Sequence, residues 1–138
     1  MDQIREWAIL AATAAADKKA TDVVVIDVAE LLVVTDYFVI GTGNTAIQVR
    51  AIADEVEDRL REEAGIKPIG REGADEARWI LLDYADFVVH VFQPEEREFY
   101  RLEKLWGDAA RVALPAEVTG YPTPDAAATD DPGEDAGE

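Results

Sequence analysis

Two short strands that are apolar on both sides constrain the fold of this chain more than any other feature. The segments Trp79–Asp83 and Phe87–Phe92 read WILLD and FVVHVF, and only Tyr84-Ala85-Asp86 separates them. So short a connection predicts an antiparallel hairpin. Alternate side chains point to opposite faces of a strand, so the odd-numbered residues of the first segment share one face and the even-numbered ones share the other. Apolar residues on both faces are typical of a sheet covered on both sides.

The rest of the sequence predicts three more strands and three helices. Thr45 and Gln48 have capping-box spacing, Gly65 suits the end of a helix, and Pro94 suits a first helical turn. The predicted order is a helix over 2–19, strands over 23–28 and 33–41, a helix over 45–64, a strand over 67–71, the hairpin, and a helix over 95–106. This order predicts an α/β (α+β) sandwich in which helices pack on a mixed five-stranded sheet.

The predicted helices are too few to cover such a sheet. Five strands at about 4.8 Å spacing span roughly 24 Å, whereas each helix covers a strip about 10 Å wide. The two long helices therefore cover about one face, and the short last helix cannot cover the other. Apolar surface near Trp79 is expected to stay exposed, which favours a protein-binding module or a homo-oligomer. The alternative is a narrower or more twisted sheet in which these residues are ordinary core.

Length and composition exclude several classes of protein. The chain has 138 residues, which fits one domain, and no cysteine, which excludes disulfides, thiolate metal sites and a cysteine nucleophile. No apolar run is long enough to span a membrane. Because Met1-Asp2-Gln3 does not open a signal peptide, the expected compartment is the cytoplasm.

The charge predicts the kind of partner. A net charge of −17 repels phosphate backbones and anionic membranes, so neither direct nucleic-acid binding nor membrane binding is expected, and a basic protein partner is favoured. Residues 115–138 contain no Lys or Arg and are rich in Pro and Gly, which predicts a domain over 1–114 and a disordered acidic tail over 115–138. This tail could aid solubility or act as a modulating arm that mimics nucleic acid.

Catalytic and cofactor chemistry is weakly supported. His90 is the only histidine and lies among apolar residues, so neither a catalytic base nor a metal site is expected. The turn Gly41–Thr45 joins a strand to a helix, where backbone amides can hold phosphate. It matches no phosphate-binding motif, and no pair of magnesium-binding carboxylates follows it. An ordinary capped turn is the favoured interpretation, and we expect no cofactor.

Several blocks of sequence resemble one family in the same order. They are DVVVIDV (22–28), TDYFVIGTGN (35–44), QVRAIADEVED (48–58), WILLDYADFVVHVF (79–92) and REFYRLEKLWGDA (97–109). Together they resemble the Iojap family, also called the ribosomal silencing factors. The resemblance implies a non-catalytic domain with a fold like that of nucleotidyltransferases. It also implies a homodimer in the free state.

The resemblance further implies a translational repressor rather than an enzyme. Family members bind the large ribosomal subunit through its fourteenth ribosomal protein and sterically block joining of the small subunit when nutrients run short. The matching hairpin implies a partner-binding site that comprises Trp79, Leu82, Asp83, Tyr84 and Asp86. Trp79 and Tyr84 are the expected anchors, and the two aspartates are expected to pair with Lys or Arg.

Two other functions remain open at this stage. The same family resemblance fits a constitutive factor for large-subunit biogenesis. A degenerate nucleotide-binding protein that uses the Gly41–Thr45 turn is the other alternative.

Overall fold

The fold is a mixed sheet with its two long helices on one face. The computed structural model describes residues 3–30, 32, 34–101, 104 and 109–119. The helices are α1 Gln3–Asp17, α2 Ala46–Ala64, α3 Pro94–Tyr100 and α4 Ala116–Thr119. The strands are β1 Thr21–Asp27, β2 Tyr37–Thr42, β3 Gly70–Glu72, β4 Trp79–Asp83, β5 Phe87–Phe92 and β6 Ala110–Arg111.

The sheet has six strands in the order β3-β4-β5-β2-β1-β6. Only the central pair β2 and β5 is parallel, and every other neighbouring pair is antiparallel. The prediction of a mixed sheet is confirmed, but the predicted strand number of five was wrong. The sixth strand is two residues long and pairs with Ile26 and Asp27 of β1. So short a strand has no alternation of apolar and polar residues from which it could be predicted.

Helix α2 follows its sequence signals. The Thr45 side chain accepts a hydrogen bond from the Gln48 amide at 3.1 Å, and Gly65 ends the helix in the left-handed conformation, with φ 70°. The predicted apolar stripe is the buried set Val49, Ile52, Ala53, Val56 and Leu60. In α1 the buried residues are all alanines, whose small side chains let this helix lie close to α2 and the sheet.

Ion pairs join α2 to its neighbours. Arg59 contacts Asp17 of α1 at 2.6 Å and Glu55 of its own helix at 2.9 Å. On the other side, Arg71 of β3 contacts Asp54 at 3.0 Å and also pairs with Glu57. These pairs join α1 and the edge strand to α2, and the buried residues of both helices pack in one core on the same face of the sheet.

The predicted end of the last helix was wrong. Helix α3 ends at Tyr100, because Arg101 adopts a left-handed conformation with φ 49°; of the remaining predicted turns, only Lys104 is among the described residues. Beyond the predicted domain bound at residue 114, Val118 of α4 is buried in the main core. The predicted tail beyond 119 lies outside the described residues. No described helix is both long and apolar enough to cross a membrane.

Candidate protein-binding surface

The sheet face opposite α1 and α2, here called the open face, is only partly covered. Its buried core is small and consists of Ile26, Val28, Ile40 and Phe92. Helix α3 covers the end near β2 and β5, where Arg97 donates a hydrogen bond to the Thr42 hydroxyl at 2.7 Å. The main core, by contrast, lies between the sheet and the two long helices. Among the described residues, two long helices therefore cover one face of the sheet, whereas the short helix α3 covers only part of the other.

Several apolar side chains on the open face remain partly exposed. Strand register places Phe38 opposite Val88, Leu81 opposite His90, and Trp79 opposite Phe92. Four of the partly exposed side chains, on β2, β5 and β4, are here called the apolar patch: Phe38, Trp79, Leu81 and Val88. Contiguous apolar surface of this kind marks protein-contact sites. The expectation that sheet surface near Trp79 stays exposed is confirmed.

His90 lies beneath the apolar patch. The residue is 5% exposed, and its ring contacts the rings of Phe38 at 4.9 Å, Trp79 at 5.9 Å and Phe92 at 6.0 Å between centroids. The indole N–H of Trp79 donates a hydrogen bond to His90 Nδ1 at 3.1 Å. Burial lowers the pKa of His90 to about 4, so the ring is neutral at physiological pH.

Acidic groups border the patch at the hairpin turn. Asp83 is partly exposed on the open face, and its carboxylate accepts a hydrogen bond from the Ala85 amide at 2.8 Å. Asp86 is exposed in the turn, and its carbonyl oxygen accepts a hydrogen bond from the Asp36 amide at 2.8 Å. Carboxylates at the border of an apolar patch suit a partner with Lys or Arg side chains.

The loop before β4 forms a second border. Gly73 has φ 86°, and a Cβ atom there would lie 2.0 Å from the Trp79 carbonyl oxygen. Arg50 of α2 donates hydrogen bonds to the Ala74 and Asp75 carbonyls at 3.0 and 2.5 Å. On the other side, the Gln93 side chain donates to the Ala77 carbonyl at 3.0 Å. The loop is thus fixed beside Trp79.

Not all of the predicted site residues reach this surface. Trp79 and Asp83 lie on the open face, and Asp86 lies in the exposed turn. Leu82 is fully buried and Tyr84 is 8% exposed, both in the main core. Strand alternation turns Leu82 towards the helices, while Tyr84 stacks on Phe87 at 4.8 Å. The expectation that Tyr84 anchors a partner at the surface is therefore not supported by its position.

Sequence reasoning missed three members of the patch. Leu81 shares the face of Trp79 by alternation, so this signal was available in the sequence. Phe38 and Val88 come together in the patch because β2 and β5 pair in parallel. This pairing cannot be predicted from the pattern of residues within either strand.

Two amides of the Gly41–Thr45 turn donate hydrogen bonds within the chain. The Gly43 amide donates to the Phe92 carbonyl at 2.9 Å, and the Asn44 amide donates to the Gln48 side chain at 2.7 Å. A Cβ atom at Gly43 would come within 3.1 Å of Val49 and Ile52, so this glycine allows α2 to pack closely. The contacts are those of an ordinary capped turn. Within the described ranges no cluster of His, Asp or Glu could hold a metal ion.

This chain is similar in sequence to a family of known proteins. A family model described as "Ribosomal silencing factor during starvation" matches residues 1–137. The ribosomal silencing factor of Bacillus subtilis is 51% identical over 105 residues, covering 76% of this chain and 88% of that protein. The mouse protein named "Mitochondrial assembly of ribosomal large subunit protein 1" is 34% identical over 94 residues, covering 64% of this chain and 40% of that protein.

A solved structure supports the fold. The crystal structure of a Chromobacterium violaceum protein superposes with a TM-score of 0.74 at 37% identity, covering 77% of this chain and 88% of that chain.

Proposed function

This chain belongs to the ribosomal silencing factor family, and from that premise we propose that it represses translation by binding the large ribosomal subunit. Its contact is the fourteenth ribosomal protein of that subunit, and its presence there sterically blocks joining of the small subunit under nutrient limitation. The family is non-enzymatic, in agreement with the absence of catalytic motifs from the sequence. The protein acts in the cytoplasm and is a homodimer when free.

The apolar patch with its acidic border is the observation that supports this proposal most directly. Trp79 is the only tryptophan in the patch, and Trp residues are enriched among side chains that dominate binding energy. Asp83 and Asp86 attract a basic protein embedded in ribosomal RNA, while a net charge of −17 discourages contact with the RNA itself. Of the predicted site, Trp79, Asp83 and Asp86 would make direct contact, and Leu82 and Tyr84 would support the hairpin from beneath.

Truncation of Trp79 tests the surface. We expect Trp79→Ala to weaken binding to purified large subunits by about 2 kcal/mol or more, because a large, partly exposed aromatic side chain of the patch is lost. Co-sedimentation with large subunits measures this. Ile47→Ala is the matched control, since Ile47 is 78% exposed on α2, away from the open face. Equal binding by folded Trp79→Ala and wild-type protein would contradict the proposed surface.

A subunit-joining assay tests the mechanism. Large subunits are incubated with the protein before small subunits are added, and whole ribosomes are then separated on a sucrose gradient. A steric block predicts fewer whole ribosomes with wild-type protein and full joining with Trp79→Ala. Undiminished joining at saturating wild-type protein would refute the block.

A role in large-subunit assembly is the second candidate, and the name of the mouse relative favours it. The two roles use the same surface, but loss of the protein would have different effects in the cell. If the protein assists assembly, its loss should cause precursor large subunits to accumulate during growth. If it represses translation, its loss should cause excess translation in starvation. A nucleotide-binding role receives no support from the Gly41–Thr45 turn.

A further inference from the structure

His90 is a buried polar side chain in an apolar cluster. Strand β5 reads FVVHVF, and its other five residues are all apolar. A polar ring that is 5% exposed costs free energy unless it is hydrogen-bonded. Its Nδ1 accepts a hydrogen bond from Trp79, the tryptophan of the apolar patch, whereas its Nε2 is buried and has no hydrogen-bond partner among the described residues. A buried histidine thus lies directly behind the side chain that we expect to bind the partner.

The hydrogen bond requires one form of the histidine. The indole nitrogen can only donate, so His90 Nδ1 must carry no proton and the neutral ring must carry its proton on Nε2. An imidazolium donates from both nitrogens and could not accept this bond. The described rings around His90 belong to Phe38, Trp79 and Phe92, none of which stabilises an imidazolium by an opposite charge.

This bond and the ring packing fix the indole from two sides. The Trp79 ring lies 4.8 Å from the Phe92 ring, tilted by 31°, and its N–H points inwards to His90 at 3.1 Å. The indole therefore presents one edge to the core and leaves the other part exposed. A side chain that is ordered before binding loses less conformational entropy when the complex forms.

We propose that His90 is a positioning residue that holds the Trp79 indole in the orientation required for partner binding. It does not touch the partner itself. The inference deepens the proposed function and rests on it, because the orientation matters for affinity only if Trp79 contacts the ribosomal partner. The hydrogen bond itself can be tested without any partner.

The partner-free test is nuclear magnetic resonance of the wild-type protein. Imidazole nitrogen shifts should show Nε2 protonated and Nδ1 free, and the Trp79 indole N–H should exchange slowly with water. The Trp79 signal is identified by its loss in Trp79→Phe. A ring with its proton on Nδ1, or a fast-exchanging Trp79 indole, would overturn the proposal.

Two substitutions then connect the bond to affinity. In His90→Asn the amide oxygen can replace Nδ1 as acceptor, whereas His90→Leu has no acceptor but similar bulk. We expect His90→Leu to bind large subunits about tenfold more weakly, with faster indole exchange, and His90→Asn to stay within about twofold of wild type. If both folded variants bind like wild-type protein, the positioning role is wrong.

A double-mutant cycle separates this inference from the proposed function. In a Trp79→Phe background His90→Leu should have no further effect on affinity, because the indole N–H is already gone. The same additional loss in that background would show that His90 acts by another route. If Trp79→Ala itself binds normally, the proposed surface fails, whatever the resonance data show about the bond.

Discussion

At the scale of single residues, the ionisation of His90 links the stability of the fold to pH. An unfolded histidine titrates near 6.5, whereas burial lowers the pKa of His90 to about 4 in the folded chain. Between these values the unfolded chain binds a proton that the folded chain does not. The contribution of His90 to stability is therefore complete above pH 6.5 and is lost as the pH falls towards 4.

This linkage can be measured by comparing wild-type protein with His90→Asn. The wild-type free energy of unfolding should fall more steeply than that of the variant between pH 6.5 and 4, by a total on the order of 3 kcal/mol. Denaturant titrations at several pH values give the difference, and the carboxylates common to both proteins cancel. Parallel pH profiles would show that His90 is not buried in its neutral form.

At the scale of elements, the loop from Gly73 to Arg78 determines where β4 begins. Arg50 and Gln93 hold this loop from two sides, and Gly73 passes close to the Trp79 carbonyl. The position of the backbone at the start of β4 therefore requires glycine at residue 73, and the position of Trp79 in the apolar patch depends on it.

Gly73→Ala should destabilise the protein by about 2–4 kcal/mol, because its Cβ would overlap backbone atoms and its φ of 86° is unfavourable for alanine. Gly70→Ala is the matched control, since a Cβ at Gly70 meets nothing within 4 Å, and its effect should stay within about 1 kcal/mol. Thermal and chemical denaturation test both variants. Equal stability of the two would refute the close approach at Gly73.

At the scale of the whole molecule, net charge affects the rate of encounter more than the strength of the complex. A charge of −17 attracts a basic partner over distances comparable to the Debye length, and the exposed Asp86 lies beside the proposed contact. Surface charges at the border of an interface mainly change association rates.

Asp86→Lys should slow association with large subunits and flatten its dependence on salt, while leaving dissociation nearly unchanged. Glu62→Lys makes the same charge change on an exposed position of α2 and serves as the control. Stopped-flow measurements at several salt concentrations compare the two variants. Identical salt slopes for Asp86→Lys and wild-type protein would exclude a steering role for this residue.

The sequence by itself determined the local features of this protein. Alternation and the short connection identified the β4–β5 hairpin with its bounds, and capping residues located α2, because these signals depend on neighbours within a few positions. Composition and charge favour a basic protein partner, and this stays a prediction. Alternation also assigned Trp79 and Leu82 to opposite faces of one strand.

Only the tertiary structure decided which face is covered. Leu82 and Tyr84 lie under the helices while Trp79 and Leu81 lie on the open face, because α1 and α2 both pack on one side of the sheet. The parallel pairing of β2 with β5 brings Phe38 and Val88 to the patch, and pairing with β1 creates the two-residue β6. The covered face and these strand pairings depend on contacts between residues far apart in the chain. Such contacts produce no periodic pattern in the sequence from which they could be predicted.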